Sequence, residues 1–307
     1  MSRGKRRGVP VDGMLLLDKP AGLSSNRALQ RVKHLLNARK AGHTGSLDPI
    51  ATGLLPLCFG ETTKISGLFL DADKHYWVRI RLGVATATGD CEGEVLGECA
   101  VDFNRQQLEA ALDRFRGRFE QVPPMYSALK QNGQPLYKLA REGVTVARAP
   151  RAVTVYALSL EAWHDDLLEL SVSCSRGFYV RALATDLGDA LGCGAHVQAH
   201  RRTGVGAFRI DNAVTPEQIE AVGSPAERRK LLLSTERGLA HLPELNLPDN
   251  IAFYLCRGRP VRAPSAPQKS PPNGLVRVYS DGAGFLGLAE LTEDGKVTPR
   301  RLFHTAD

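Results

Sequence analysis

The stretch Gly42-His43-Thr44-Gly45-Ser46-Leu47-Asp48-Pro49-Ile50-Ala51-Thr52-Gly53 packs three glycines and a proline into twelve residues. That density excludes a regular helix and fixes a sharply turned backbone at one place in the chain. No Gly-Lys-Ser/Thr follows at the spacing of a phosphate-cradling Walker loop. Taken alone, Asp48 before Pro49 reads as a turn or cap residue.

At 307 residues the chain is long for one ordinary core, which points to one large domain plus a small one, or to two domains. Hydrophobic residues at 43% and charged residues at 24% are ordinary globular values and exclude a disordered chain, a collagen and a membrane protein. The six cysteines never lie closer than eight residues apart, with no CxxC or Cys/His cluster, so no metal site is expected. The basic start resembles a signal peptide's first region, but the apolar run behind it, Met14 to Leu17, is cut off by Asp18 and Lys19. A cytoplasmic protein with reduced thiols and no membrane association is expected.

Positive charge is unevenly placed. Lys+Arg number 40 against 33 Asp+Glu, a net +7. Bases gather at Arg3, Lys5, Arg6 and Arg7, at Arg27, Arg31, Lys33, His34, Arg39 and Lys40, and at His200, Arg201 and Arg202. Such clusters are either solvated faces or attract phosphate backbones, which makes nucleic acid a candidate partner.

Met14 to Leu17 reads as a short buried strand. Ser24 or Ser25 caps a helix through Ala28, Val32, Leu35 and Leu36, with Gly42 as its stop. His75 to Val84 alternates as a half-buried strand that carries Tyr76, a core aromatic if judged alone. Phe103-Asn104 with Gln107-Leu108 forms a capping box and hydrophobic staple, and Thr215 with Gln218 a second capping box. Residues 123 to 151 read as a long excursion from the core. Ala152 to Leu160 and Leu168 to Ser175 are strands, and Val180 to Leu191 is a helix ended by Gly192. Pro248 and Asp249 read as a linker, and five of the 18 prolines lie between Pro260 and Pro272. Short strands follow at 275–279, 285–291 and near 301–303, with a turn at Asp294-Gly295. The expected boundary is near 248.

Several long motifs stand in one order. Leu15-Leu16-Leu17-Asp18-Lys19-Pro20 leads to Gly22 and Ser24-Ser25-Asn26, and then to the Gly42–Gly53 stretch. Pro124-Met125-Tyr126-Ser127-Ala128-Leu129-Lys130, Arg176-Gly177 with Tyr179 and Arg181, and Gly192 with Gly194-Ala195-His196-Val197 follow. Over nearly its whole length the chain resembles the TruB family of tRNA pseudouridine synthases, including a C-terminal piece similar to a PUA RNA-binding domain.

The resemblance implies an α+β pseudouridine synthase fold. A mixed, largely antiparallel central sheet is flanked by helices and followed by a small all-β PUA-like domain, with 1–248 catalytic and 249–307 RNA-binding. It implies isomerisation of uridine 55 in the tRNA T-loop to pseudouridine by a monomer without cofactor. Asp48 matches the catalytic aspartate, Tyr76 the aromatic against the target base, and Arg181 the partner of Asp48. Tyr179 falls at a further substrate contact, His43 at the residue that fills the gap in the RNA stack, and 124–151 at an RNA-gripping insertion. Lys19 and Lys64 are added as substrate contacts. His200 stands where the family pattern has a leucine lining the pocket, so an imidazole here is expected to alter packing against the base.

The residue types suit this chemistry. A stacked base must be flipped out before C1′ can be attacked or its glycosidic bond weakened. A carboxylate serves as nucleophile or charge stabiliser, a nearby guanidinium keeps it ionised, and a tyrosine offers a stacking face and a hydroxyl. Two rivals are a non-catalytic RNA binder or tRNA-folding chaperone, and a guide-RNA-dependent synthase. The trio Asp48, Tyr76 and Arg181 has no use in a pure binder, although an enzyme that opens a tRNA elbow can also help it fold. Guide-dependent synthases carry longer terminal extensions.

Overall fold

The structure, a computed structural model, describes residues 8–263 and 274–303. The bases Arg3 to Arg7 and four of the five prolines between Pro260 and Pro272 lie outside the described residues.

Strand β1 (Gly13–Lys19) is buried on both faces. Leu15 and Leu17 pack with the first helix and Phe59, whereas Met14 and Leu16 pack with Ile65, Phe69 and Val205. A strand covered on both sides reads as an unbroken apolar run, which is what Met14 to Leu17 is. Helix α1 (Ser25–Leu35) starts where the Ser24 hydroxyl accepts the Arg27 N–H at 3.2 Å. It stops at Leu36, with Asn37 in the left-handed region at φ 50°. Gly42 is therefore not the helix stop; it lies in strand β2 (Ala41–His43). Asparagine terminates the helix five residues earlier, because its side chain tolerates that backbone.

The central sheet continues with β3 (Thr52–Phe59) and β4 (Lys74–Leu82). Helix α2 (Arg105–Asp113) opens on the expected capping box, Asn104 and Gln107 each bonding the other's backbone N–H. Then come β5 (Gly117–Gln121), β6 (Arg151–His164), β7 (Leu167–Cys174), α3 (Val180–Leu191) and β8 (Ala195–Val205). The order is β1-β3-β8-β4-β7-β6-β5, with β2 pairing β3 and Phe208–Arg209 pairing β8. Every pairing is antiparallel except β3 with β8, which run parallel at Arg201 opposite Thr52 and Arg202 opposite Gly53. Helices α2 and α3 cover one face through Leu108, Leu112, Leu183 and Leu187 against Val78, Ile80, Leu168 and Leu170.

The excursion at residues 123–151 carries local structure of its own. Lys130–Gln131 and Gln134–Pro135 form a hairpin through Asn132 and Gly133, both at positive φ, and the helix Leu136–Arg141 follows. An Asn-Gly pair with both residues left-handed suits a tight two-residue hairpin turn.

A second sheet has the order Glu244–Leu247, Leu275–Ser280, Gly284–Leu291, Lys296–Leu302, Val261–Arg262. Pro248 and Asp249 are not a linker but start the helix Asp249–Cys256. Glu244–Leu247 pairs in parallel with Leu275–Ser280, so this sheet reaches back across the boundary expected near 248. It is also joined to the first: Leu288 is buried in one cluster with Met14, Leu16, Leu54 and Phe69, and Tyr279 donates its hydroxyl to Glu236 at 2.9 Å. No helix among the described residues is long and apolar enough to cross a membrane.

Candidate active site

The turned segment before β3 is held from three sides. Ser25, at the start of α1, accepts the Leu47 N–H at 2.7 Å and donates back to the Leu47 carbonyl at 3.1 Å. From β1, Lys19 directs its ammonium at the Pro49 carbonyl, 3.5 Å away, which also accepts the Gly22 N–H at 2.8 Å. From β8, Arg202 donates to the Leu54 and Gly45 carbonyls at 2.8 and 3.3 Å. Gly53 lets this approach happen: at φ 100°, a Cβ there would meet the Arg202 carbonyl oxygen at 2.3 Å. Asp48 is thereby presented from a rigid frame, its side chain 37% exposed.

Arg181, in the first turn of α3, is only 5% exposed. Its Nε donates to Asp48 Oδ2 at 2.9 Å and its Nη2 to Oδ1 at 3.2 Å, a two-point grip. Two further donors go to the Thr88 carbonyl at 3.0 Å and the Tyr126 carbonyl at 2.6 Å. A second carboxylate, Asp90, stands 3.6 Å from Nε and is itself held by the Thr88 hydroxyl at 2.5 Å. Four of the five guanidinium N–H donors are thus spent on the protein. Each Asp48 oxygen keeps a lone pair for something else.

Asp48, Tyr76, Tyr179, Arg181 and His200 line one cavity of about 620 Å³, together with Lys74, Asp90, Tyr126, Tyr137 and Arg202. Tyr76 sits on β4 opposite Arg202 of β8, and burial pushes its hydroxyl pKa up, opposed by the Arg202 charge. Tyr179 precedes α3, where its backbone exchanges hydrogen bonds with the Gln121 amide at 2.8 and 3.1 Å. Burial raises its hydroxyl pKa too. His200 is 5% exposed, and burial pushes its pKa down to about 4, so the ring is neutral.

Three expected contacts lie elsewhere. Lys19 is fully buried and does not line the cavity; it donates to the Pro20 and Leu23 carbonyls at 2.8 and 2.7 Å, and burial lowers its pKa to about 8. Its four-carbon stem ends in backbone carbonyls, so it shapes the loop. Lys64 is at the junction of the two sheets, bonded to the Leu302 carbonyl at 3.2 Å, paired with Glu61 and lying over the Phe303 ring. His43 is half-buried on β2 outside the cavity lining, its pKa lowered by burial and then by Arg202. The third basic cluster is not an open surface: His200 and Arg202 are buried in the cavity wall, and Arg201 grips Asp18 at 2.6 and 3.0 Å. Asp90 and Lys74 carry no sequence signal, since neither lies at a telling spacing from Asp48 or Arg181.

Comparison with known proteins decides the family. The model described as TruB family pseudouridylate synthase, N-terminal domain, matches residues 33–180. Those described as tRNA pseudouridylate synthase B C-terminal domain and pseudouridine synthase II TruB, C-terminal, match 181–240 and 243–303. The chain belongs to the TruB family of pseudouridylate synthases. It is 53% identical over 308 aligned residues to a protein of Pseudomonas aeruginosa named tRNA pseudouridine synthase B, covering 99% of this chain and all of that one. A protein of the same name from Ectopseudomonas mendocina is 52% identical, with 99% of each chain covered. Among solved structures, a chain of a Cbf5-Nop10-Gar1 complex superposes with a TM-score of 0.74 at 24% identity, over 95% of this chain and 85% of that one. A chain of an H/ACA RNP bound to a substrate RNA containing 2′-deoxyuridine gives 0.71 at 21% identity, over 99% and 92%. These likenesses place the TruB-family chain in the pseudouridine synthase fold.

Proposed function

We propose that the chain isomerises uridine 55 in the T-loop of tRNA to pseudouridine, acting as a monomer and needing no cofactor. The observation that carries this reading is the Asp48 carboxylate, gripped at both oxygens by buried Arg181 yet open to the cavity that Tyr76 lines. The target uridine leaves the loop stack and enters that cavity. Asp48 attacks C1′ or stabilises the charge that develops as the N1–C1′ bond breaks. The uracil turns and C5 bonds to C1′, releasing the Asp48 carboxylate where it had bonded to C1′; the C5 proton then leaves to solvent and N1 takes one up. Atoms and electrons balance without an oxidant or reductant. Tyr76 supports the base by its ring face, and Tyr179 makes a further contact.

Residues 124–151 grip the RNA, a reading supported by Tyr126, Tyr137 and Arg141 on the cavity wall. His43 fills the gap that the flipped base leaves. Residues 249–307, with the strand Glu244–Leu247 that joins their sheet, form the RNA-binding unit, and 1–243 the catalytic one. The free-standing enzyme is favoured over a guide-RNA-dependent one by 53% identity to proteins named for tRNA, against 24% to the Cbf5 chain.

Incubation with an unmodified tRNA transcript, followed by site-resolved detection of pseudouridine, tests the reading. Conversion at position 55 is expected. No product, or product only elsewhere in the tRNA, would overturn it.

A further inference from the structure

The insertion meets the cavity wall at Ser127 with an unpaired hydroxyl. This side chain is 5% exposed, and its Oγ is sealed and has no hydrogen-bond partner among the described residues. The backbone that carries it is clamped. The Ser127 N–H donates to the Met125 carbonyl at 2.8 Å, and the Ser127 carbonyl accepts the Tyr137 N–H at 3.0 Å. One residue earlier, the Tyr126 carbonyl accepts Arg181 Nη2 at 2.6 Å.

Two positions before Arg181 stands Tyr179, which lines the same cavity. Burial raises the pKa of its phenol and the Ser127 hydroxyl lowers it, so the two oxygens lie near each other. Tyr179 is anchored by its backbone, whose N–H and carbonyl both engage the Gln121 amide, 2% exposed. The carboxylates of the cavity are already held, Asp48 by Arg181 and Asp90 by Thr88. What neither backbone clamp fixes is the direction of the phenolic hydrogen.

Buried hydroxyls are almost always hydrogen-bonded, and an unpaired one carries a desolvation cost that an alanine would avoid. A serine hydroxyl can donate to a phenolic oxygen, which remains a donor through its own hydrogen. Donation from the insertion side turns that hydrogen to the other side, toward the cavity.

We infer that Ser127 is a positioning residue: with RNA bound, its hydroxyl donates to the Tyr179 phenolic oxygen and aims the Tyr179 O–H at the substrate. This rests on the pseudouridine synthase reading above and deepens it. The RNA-gripping insertion then reaches the reacting nucleotide through one hydroxyl, which links the grip to the chemical step.

A double-mutant cycle tests this, with Ser127→Ala, Tyr179→Phe and the double variant compared with wild type on an unmodified tRNA transcript. Single-turnover rates at saturating enzyme report the chemical step, filter binding reports affinity, and thermal melting controls for folding. Ser127→Ala should slow the step by about fivefold, the scale of one hydrogen bond, with affinity within about twofold of wild type. Tyr179→Phe should lose at least as much, and the double variant should match Tyr179→Phe within about twofold, because the serine then has nothing to orient. If the alanine variant does not fold, Ser127→Cys, with its weak donor, gives the same comparison. A Ser127 variant as fast as wild type, losses that multiply in the double variant, or a loss confined to affinity would each overturn the inference. A wild type that makes no pseudouridine would instead fail the activity reading first, and the inference with it.

Discussion

Arg181 holds both oxygens of Asp48, Nε to Oδ2 at 2.9 Å and Nη2 to Oδ1 at 3.2 Å, from a position sealed off from solvent. A lysine would keep the charge but replace the planar fork with a single point donor, and the carboxylate would be free to swing. Arg181→Lys should therefore lower single-turnover isomerisation by about 10²-fold, the scale of a misplaced catalytic group. Arg181→Met should lower it further. Tritium release from 5-tritiated uridine in tRNA checks both; an unimpaired lysine variant would show that charge alone matters.

Lys19 gives a pH signature. Burial lowers its folded pKa to about 8, against 10.5 for the exposed side chain. Between these values the unfolded chain binds more protons than the folded one, so stability rises with pH. The benefit is present above 10.5 and is lost as pH falls through 8. Urea melts of wild type and Lys19→Met should diverge across that window by about 3 kcal/mol at most, wild type gaining with pH. Parallel curves would mean that the ammonium is not desolvated.

The two sheets are energetically one body at Leu288, which is 1% exposed among Met14, Leu16 and Phe69. Leu288→Ala should cost about 2–5 kcal/mol by urea denaturation. Removal of residues 249–307 should lower the melting temperature of what remains, as well as weakening tRNA binding. A truncated chain as stable as the whole would contradict the shared core.

Local chemistry was legible in the sequence where a few neighbouring residues decide it. The Asn104–Gln107 and Thr215–Gln218 capping boxes formed as read, because each partner is three residues away. The helix Val180–Leu191 ended at Gly192, which adopts φ 76°. Gly42 was misread as a helix stop because glycine is the commoner signal, and Asn37 supplied the left-handed turn first. Asn132-Gly133 carried a hairpin signal that the polar surroundings of 123–151 concealed. The bonds of Lys19 and Arg202 could not be read, because both go to carbonyls that only the tertiary fold brings near. Asp90 was invisible for the same reason: its relation to Arg181 spans 91 residues of chain and exists only in the folded cavity.

Asp48→Asn tests the central claim most directly. Asparagine fills the same space and suits the same turn, but it lacks the negative charge and the nucleophilic oxygen. Tritium release and filter binding on the same preparations should show isomerisation falling to undetectable levels while tRNA affinity stays close to wild type. An Asp48→Asn protein that retains even a tenth of wild-type turnover would contradict the role assigned to this carboxylate.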